Sequence, residues 1–493
     1  MRVVVVGGGV SGLGAALAFS RLGHAVTVLE RDDTPMPQSA DAAFDWDRRG
    51  APQVRHSHAF LARLCNLLRA DYPQVWDDLL AVGATELRFG EALPPTLEGF
   101  EPRADDADLS MLACRRTTFE WIVRRAVLAD GNVELRTGVS VIGLASDPPA
   151  SEMRTSAAPH VSGVRLADGS GLDADLVVVA NGRRSALPEW LAEIGARAVV
   201  ETVEDTGIVY FSRFYRLLDG REPPPRSGPI GGDLGYVKYG VFAGDCRTFS
   251  ITLAAPVEDD ELRRLLADPQ VFDTAGRRLV ATEPWLDGRA VPITPGVHVM
   301  AGLLNRWRDF VVDGEPIATG VAAVGDALMC TNPLYGRGCS TGFVSAHLLA
   351  EAADANGDDP RALALAYDAA MRADLYPWYR SGVEQDGEAR RVAAAILAGE
   401  DPDGDQSDPR TFMRGVFRDG LLPALRTDAT VLRAFVRNFN LLTPPDALGT
   451  DPDISARVLA VWQDREHRPP EPALGPQRRE EFVDLLSEES PAA

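Results

Sequence analysis

Three glycines close to the start of the chain have the spacing of a loop that binds a diphosphate. Gly7, Gly9 and Gly12 follow a β-branched run at residues 3–6 and open an apolar-periodic stretch that extends to Leu22. Glycines at these positions permit a tight turn, let a diphosphate approach the backbone and let a helix pack closely on a strand. The predicted helix, residues 11–22, adds unpaired N–H groups and a partial positive charge at its start.

An acidic side chain ends the second predicted strand of the same unit. Residues 25–30 read Ala-Val-Thr-Val-Leu-Glu, so Glu30 stands where a carboxylate binds the two hydroxyls of an adenosine ribose. Because strand, helix, strand and terminal acid occur in this order, we predict a bound adenine dinucleotide. A glycine-rich turn in an ordinary parallel sheet is the alternative. The residues predicted to hold the dinucleotide are Gly7, Gly9, Val10, Ser11, Gly12, Glu30 and Arg31.

The overall composition is that of an acidic globular protein. The chain has 493 residues and a net charge of −22, which argues against nucleic acid or an anionic membrane as a partner. Its five cysteines are scattered without a C-x-x-C pair, which fits reduced thiols in a cytoplasmic protein and predicts no disulfide framework and no metal site. No apolar run approaches about 18 residues, so we expect no membrane span. The oligomeric state is left open.

Two later segments repeat the pattern of a buried strand that ends in a polar turn. Residues 176–180 lead into the sequence N-G-R-R-S at 181–185, and residues 320–324 lead into Gly325 and Asp326. Between them, residues 201–299 alternate in polarity or are rich in aromatic side chains, which predicts an antiparallel sheet. The chain beyond Asp359 reads as helices joined by acidic loops. The whole pattern predicts an α/β protein with two or three structural units.

The order and spacing of these three segments resemble the FAD-dependent monooxygenases of the p-hydroxybenzoate hydroxylase fold. The third segment reads Val-Gly-Asp-Ala at 324–327, followed by Pro-Leu-Tyr-Gly-Arg-Gly at 333–338, and the resemblance covers about residues 1–380. It implies a Rossmann-type FAD-binding domain with a parallel sheet and a β-meander, residues 1–200 and 290–360. It also implies an inserted antiparallel substrate-binding sheet, residues 201–289, and a helical C-terminal region, residues 361–493.

The resemblance assigns further cofactor contacts. Asp326 is expected to bind a ribityl hydroxyl, and Val141 to lie where the family's backbone holds adenine. Arg116 matches the arginine that opens a helix and reaches the cofactor, with Arg115 or a plain surface arginine as alternatives. Thr117 or Thr118 is expected to cap that helix, with Glu120 near the capping-box position. The flavin ring is expected to lie against Pro333, Gly336, Gly338 and Cys339.

The loop Gln-Val-Arg-His-Ser-His at 53–58 resembles a loop found in a subset of these oxygenases, which includes alkene epoxidases. Arg55, His56 and His58 are candidates to face the flavin or the diphosphate, and solvent-exposed loop histidines are the alternative. The aromatic side chains of the antiparallel sheet are candidates to line an apolar substrate pocket, with an ordinary sheet core as the competing interpretation.

The resemblance implies insertion of one oxygen atom from dioxygen, by hydroxylation or epoxidation, into an apolar or aromatic small molecule through a flavin hydroperoxide. NAD(P)H or a separate flavin reductase would supply the electrons, since the sequence has no second glycine fingerprint. A double-bond reductase or dehydrogenase is the first alternative. A halogenase of this fold needs an early lysine, whereas Lys238 is the only lysine in the chain. A flavin-free dinucleotide-binding protein is the non-enzymatic alternative.

Overall fold

The computed structural model describes residues 1–146, 158–226, 230–468 and 473–488 of the chain. Twenty-one strands alternate with sixteen α-helices over these residues, and short 3₁₀ turns lie between several of them. The strands are β1 (Arg2–Val6), β2 (Ala25–Glu30), β3 (Thr85–Leu87), β4 (Met111–Ala113), β5 (Val133–Thr137), β6 (Val141–Ser146), β7 (Val161–Leu166), β8 (Gly171–Asp173), β9 (Leu176–Val179), β10 (Val200–Asp205), β11 (Ile208–Leu217), β12 (Gly231–Asp233), β13 (Lys238–Ala243), β14 (Thr248–Pro256), β15 (Ala290–Pro292), β16 (His298–Met300), β17 (Leu304–Asp309), β18 (Val311–Val312), β19 (Glu315–Pro316), β20 (Val321–Ala323) and β21 (Met329–Cys330).

The helices fall into two groups, those that accompany the sheets and a C-terminal run. The helices are α1 (Val10–Arg21), α2 (Ala62–Asp71), α3 (Pro73–Ala81), α4 (Arg116–Ala129), α5 (Leu187–Glu193), α6 (Asp260–Ala267), α7 (Pro269–Arg277), α8 (Gly338–Asn356), α9 (Pro360–Asp374), α10 (Tyr376–Leu397), α11 (Pro409–Val416), α12 (Leu422–Thr427), α13 (Ala429–Phe439), α14 (Ala447–Thr450), α15 (Pro452–Gln463) and α16 (Arg479–Glu488). No helix of the described ranges is both long and apolar enough to cross a bilayer.

A five-stranded parallel sheet is the centre of the molecule. Its order is β20-β9-β1-β2-β5, and every neighbouring pair runs parallel. The inner strands β1 and β9 are valine-rich and almost fully buried, as expected for a sheet covered on both faces. Helices α1 and α8 pack on each other, and a Cβ on Gly14 of α1 would lie 3.1 Å from the Phe343 ring of α8. The predicted α/β class is confirmed.

A second large sheet of the molecule is antiparallel. Its order is β12-β13-β14-β11-β15, with β16 also paired to β11. One face of this sheet packs on α6, α7 and α16 and forms a hydrophobic core of its own. The aromatic side chains of that core include Phe211, Tyr215, Tyr236 and Tyr239, so the interpretation as ordinary sheet core is correct for these four.

Most predicted elements occur within a few residues of their expected bounds, but the capping prediction for α4 is wrong. Arg115 is the N-cap residue, and its side chain makes no capping hydrogen bond. The Thr118 hydroxyl instead donates to Asp245, 2.8 Å away, and Glu120 accepts from arginines. Long-range polar partners therefore displace the local capping interactions at this helix start.

Candidate cofactor and substrate site

The three polar turns predicted from the sequence lie together at one edge of the parallel sheet. They follow β1, β9 and β20, which are neighbours in the sheet, so their carboxyl ends point in one direction. A Cβ on Gly7 would lie 2.7 Å from the carbonyl oxygen of Ala180, and one on Gly325 would lie 2.2 Å from Ser11 Oγ. Crevices at the carboxyl ends of parallel strands are the usual ligand sites of such sheets.

The glycines of the first turn divide into those that shape the turn and those that leave space. Gly7 has φ +110°, which disfavours any side chain, and a Cβ on Gly12 would lie 1.8 Å from the Gly7 carbonyl oxygen. Gly9 and Gly338 differ, because no heavy atom of the described residues lies within 4 Å of a Cβ built on either one. A flat or anionic group can therefore approach the backbone at these two positions.

The carboxylate of Glu30 lies directly beside the glycine turn. It accepts hydrogen bonds from the backbone N–H groups of Gly8, at 2.8 Å, and Asp32, at 2.9 Å. The Glu30 carbonyl accepts from Val139 N at 3.0 Å, which brings the start of the strand that carries the half-buried Val141 to the same edge. The Arg31 side chain is exposed.

A buried cluster of arginines and carboxylates lies beneath this edge. Arg48 donates to Glu120 at 2.7 Å and to Asp32 at 2.6 Å, and Arg116 donates to Glu120 at 2.7 Å. Arg124 donates to the Gly8 carbonyl at 2.7 Å. Burial alone would raise the pKa of Glu120, but the neighbouring guanidiniums outweigh it and hold that pKa below its ordinary value. The cluster fixes Arg116 next to the predicted cofactor residues.

The Asp326 carboxyl group lies directly after β20, near three arginines. No residue in the described part of the chain donates a hydrogen bond to its side chain, and burial raises its pKa against the nearby charges of Arg183, Arg116 and Arg306. Arg306 Nη1 donates to the Arg183 carbonyl at 2.8 Å, while its buried Nε has no partner among the described residues. An acceptor and an unpaired donor therefore lie at the end of β20.

The loop from Pro333 to the start of α8 approaches the opposite side of the site. Gly336 has φ +66°, and a Cβ there would lie 2.8 Å from the Ala59 Cβ, so this position tolerates only glycine. The helix begins at Gly338, which directs its N-terminal N–H groups towards this region. Cys339 is buried, and burial raises the pKa of its thiol. Such a thiol is protonated near neutral pH.

A buried carboxyl group of the C-terminal helices holds that loop, and the sequence analysis missed it. Asp386 of α10 accepts from Asn305 Nδ2 at 2.6 Å, Asn332 Nδ2 at 2.8 Å and the Tyr335 hydroxyl at 2.7 Å. Asn332 N also donates to Asn305 Oδ1 at 2.8 Å. Asp386 is only 3% exposed. These residues belong to no short motif, so the only sequence signal was a lone carboxylate within an otherwise ordinary helix.

The loop that carries Arg55, His56 and His58 lies against the face of the antiparallel sheet opposite the one that packs on α6, α7 and α16. His56 Nδ1 is 3.1 Å from Ser212 Oγ, and His58 Nδ1 is 3.0 Å from the His56 carbonyl oxygen. Burial and neighbouring ionisable groups lower the pKa of each of these histidines to about 3. Both are therefore neutral near pH 7, and neither is a solvent-exposed loop histidine.

Hydroxyl groups connect this loop to two central strands. Ser57 Oγ lies 2.7 Å from Ser250 Oγ and 2.7 Å from Thr252 Oγ1, and Thr252 Oγ1 lies 2.8 Å from Ser212 Oγ. Cross-strand pairing places Tyr210 and Phe214 on the same face as these hydroxyls. Phe242 pairs with Ser250 and lies on this face too, so three of the aromatic residues predicted to line a pocket face the candidate site.

The comparisons with known proteins agree with this geometry. A family model described as pyridine nucleotide-disulphide oxidoreductase matches residues 2–45. The protein called Rv3254 of Mycobacterium tuberculosis is 28% identical over 498 aligned positions, which cover 95% of this chain and 96% of that protein. PqsL, a probable FAD-dependent monooxygenase from Pseudomonas aeruginosa, is 18% identical with a TM-score of 0.55, over 84% of this chain and 99% of that structure. The myxobacterial halogenase CndH is 18% identical with a TM-score of 0.55, over 99% of this chain and 96% of that structure.

The chain has the flavoprotein hydroxylase fold. The fold that the resemblance implies is therefore confirmed. At these identities the structural likeness carries the architecture alone, so the cofactor, the reaction and the role of each site residue are argued below from the residues.

Proposed function

We propose that this protein binds FAD and inserts one oxygen atom from dioxygen into an apolar or aromatic small molecule. The observation that carries the proposal is the meeting of three strand ends at one crevice, where Asp326 presents a carboxyl group without a hydrogen-bond donor in the described ranges. The hydroxylase fold and the family model for the first 45 residues support the same cofactor.

The residues present fit FAD. Gly7, Gly9 and Gly12 with the start of α1 would hold the diphosphate, and Glu30 would hold the adenosine ribose. Asp326 would accept a ribityl hydroxyl, and the open backbone at Gly338 would admit the edge of the flavin ring. When bound, FAD supplies the activation of dioxygen that no protein side chain provides.

The chain's own contribution is positioning and exclusion of water. The hydroxyl network between Ser57 and the sheet closes one side of the site, and the buried Tyr210 and Phe214 provide apolar surface beside it. His56 and His58, with pKa values of about 3, are neutral near pH 7 and are weak bases. This favours an oxygenation that needs no proton abstraction from the substrate, such as epoxidation, over hydroxylation of a phenol that must first be deprotonated.

A halogenase is the second candidate, because CndH matches this chain over almost its whole length. The position of the only lysine in the sequence argues against a halogenase. Lys238, the only lysine, lies in β13 of the antiparallel sheet with its Nζ 2.9 Å from Asp233, far in sequence from the early helical region where a halogenase of this fold needs one. A reductase or dehydrogenase of the same fold is the remaining enzymatic alternative.

Spectroscopy and oxygen consumption test the proposal. The purified protein, reconstituted with FAD, is expected to show flavin absorption bands. With NADPH, NADH or a separate flavin reductase as donor, a panel of apolar aromatic compounds and alkenes should give oxygenated products that carry label from ¹⁸O₂. Full turnover under argon would identify a reductase or dehydrogenase, and halogenated products with bromide present would identify a halogenase. Absence of flavin bands would overturn the proposal altogether.

Asp326→Ala tests the third segment. The loss of one charge-assisted hydrogen bond is expected to weaken FAD binding by about 1.5–3 kcal/mol, which is about a 10- to 150-fold rise in the dissociation constant. The matched control is Glu98→Ala, which removes an exposed carboxylate and should leave FAD binding unchanged. Equal FAD affinity in the two variants would contradict the assignment of Asp326.

A further inference from the structure

One turn of the antiparallel sheet is buried against the start of α4. Asp245 lies at the tip between β13 and β14, where a hairpin is usually solvated, and yet it is fully buried. Its carboxylate accepts hydrogen bonds from Arg115 N at 2.8 Å, Arg115 Nε at 3.0 Å and Arg115 Nη2 at 2.6 Å. The Thr118 hydroxyl donates to it at 2.8 Å. All four donors belong to the N-cap residue and the first turn of α4.

The Asp245 carboxylate replaces a capping interaction that α4 does not make within its own sequence. In a capping box, the carboxylate of the third helical residue accepts from the N-cap backbone N–H. Here the third helical residue is Thr118, and the backbone N–H of the N-cap residue, Arg115, donates to Asp245 instead. A negative charge at this end of a helix is also favoured by the helix dipole. The antiparallel sheet thus supplies the cap of a helix that packs beside the parallel sheet.

The ion pair between Arg115 and Asp245 is removed from water. Their side chains are 3% and 0% exposed. Burial alone would raise the pKa of Asp245, but the hydrogen bonds and the charge of Arg115 outweigh it and lower that pKa. Loss of one member of a buried pair leaves the other charge without a partner, which is far more disruptive than loss of a surface contact. Neutralisation of Asp245 therefore releases the start of α4.

The backbone next to Asp245 is held in an unusual conformation. Cys246 and Arg247 have positive φ angles of +51° and +58°, and Thr248 N donates to the Asp245 carbonyl at 3.0 Å. A two-residue turn of this kind normally contains Asn and Gly. Arg247 Nη2 donates to the Arg221 carbonyl at 3.0 Å, which holds the turn from the other side. Because such strain persists only where the surroundings enforce it, the turn presents its carboxylate to α4 in one position.

This turn lies between the residues assigned to the cofactor and the sheet face assigned to the substrate. Arg116, which is predicted to reach the cofactor, is the first residue of α4 and directly follows Arg115. Strand β14 begins three residues after Asp245 and carries Ser250, whose Oγ lies 2.7 Å from Ser57 Oγ. A single hairpin therefore contacts both sides of the candidate site.

We propose that Asp245 is a positioning residue, which fixes the start of α4, and thereby Arg116, relative to the antiparallel sheet. Asp245 acts through Arg115 and the first turn of the helix. The inference rests on the proposed function for the identity of FAD as the group that Arg116 binds. A displacement of about 1 Å in a positioning group costs up to about 100-fold in rate, so a helix start that can shift is enough to impair the site.

A double-mutant cycle on FAD affinity tests the inference. The dissociation constant is measured by the quenching of flavin fluorescence, at a temperature where circular dichroism shows every variant to be folded. Asp245→Asn keeps the side-chain shape and removes the charge, and we expect it to raise the dissociation constant about tenfold. Arg116→Gln should raise it by a similar factor. Because Asp245 acts through Arg116, the double variant should bind FAD as Arg116→Gln does.

A second variant and a spectrum separate positioning from a general loss of stability. Thr118→Val removes one donor to Asp245 and leaves the ion pair, so it should weaken FAD binding several-fold and gives the same comparison if Asp245→Asn does not fold. At saturating FAD, the visible circular dichroism of the bound flavin should change alike in Asp245→Asn and Arg116→Gln. Asp233→Asn is the matched control, because Asp233 pairs with Lys238 at 2.9 Å on the exposed part of the same sheet, and it should change neither measurement.

The outcomes distinguish this inference from the proposed function. Unchanged FAD affinity in both Asp245→Asn and Thr118→Val would overturn the inference alone. Additive effects of Asp245→Asn and Arg116→Gln would also overturn it, in favour of a purely structural ion pair. Absence of FAD binding by the unmodified protein would overturn the proposed function, and the inference with it.

Discussion

Replacement of Asp386 tests whether the C-terminal helices build the cofactor site. Asp386→Ala removes the acceptor of three hydrogen bonds, two of which hold the loop that leads into α8. A buried donor left without a partner costs about 1–3 kcal/mol. Asn305, Asn332 and Tyr335 all lose their acceptor, so the free energy of unfolding should fall by about 3–6 kcal/mol. The lower value applies if the three side chains move and find other acceptors or water.

The same substitution should weaken FAD binding. If FAD binding has to order the loop again, the free energy of binding becomes less favourable by at least the contribution of one lost hydrogen bond. That contribution is about 1.4 kcal/mol, which is about a tenfold rise in the dissociation constant. Urea unfolding followed by circular dichroism measures the first effect, and the quenching of flavin fluorescence on titration with the protein measures the second. Both are needed, because a purely structural role would change stability alone.

Glu384→Ala provides the control on the same helix. Glu384 is exposed and lies 3.5 Å from Arg380 in a surface ion pair, which is worth less than about 1 kcal/mol. We expect this variant to match the unmodified protein in both measurements. If Asp386→Ala had the same FAD affinity as Glu384→Ala, α10 would not position the loop at 333–338 for FAD, whatever the effect of the substitution on unfolding.

Two further substitutions test the glycine turn and the buried histidine. Gly12→Ala places a Cβ 1.8 Å from the Gly7 carbonyl oxygen, so FAD binding should weaken at least about tenfold, whereas Gly131→Ala, which meets no heavy atom within 4 Å, should bind normally. His56 has a pKa of about 3 in the folded protein and about 6.5 when unfolded, so the unfolded state binds the extra proton and stability falls as pH decreases from 6.5. We expect the free energy of unfolding, measured in urea between pH 4.5 and 7.5, to depend less steeply on pH in His56→Gln than in the unmodified protein, by up to about 1.4 kcal/mol per pH unit. The exposed His467→Gln is the control and should keep the slope of the unmodified protein. Equal slopes in the two variants would contradict the neutral state of His56.

The parts of the site that were predictable from the sequence are those encoded locally. The glycine turn, α1 and the acid at Glu30 lie within 30 residues, and backbone geometry requires glycine at Gly7 and Gly12. The meeting of the three turns followed from one rule, that parallel strands present their carboxyl ends at the same edge. The bounds of α1 differed by a single residue at each end, because helix ends fray and caps are read from weak signals.

The parts that escaped prediction depend on partners distant in the chain. Thr117 or Thr118 was expected to cap α4, but the Thr118 hydroxyl donates to Asp245, 127 positions away. Asp386 binds Asn332 and Asn305 across 54 and 81 positions. Such pairs use common residue types without fixed spacing, so the sequence of one chain does not distinguish them from solvated side chains.

The contacts between α10 and the loop at 333–338 have a thermodynamic consequence beyond the site. Arg337 in that loop lies between the rings of Tyr335 and of Trp378 in α10, 4.6 Å from each centroid. Linkage requires that whatever tightens the loop also tightens the helix. A prosthetic group seated at the N-terminus of α8 would then protect a stretch more than forty residues downstream from proteolysis, and cleavage within that stretch would loosen the group in return. Helix α10 is thus energetically coupled to the loop at 333–338, although it lies far from the glycine turn in sequence.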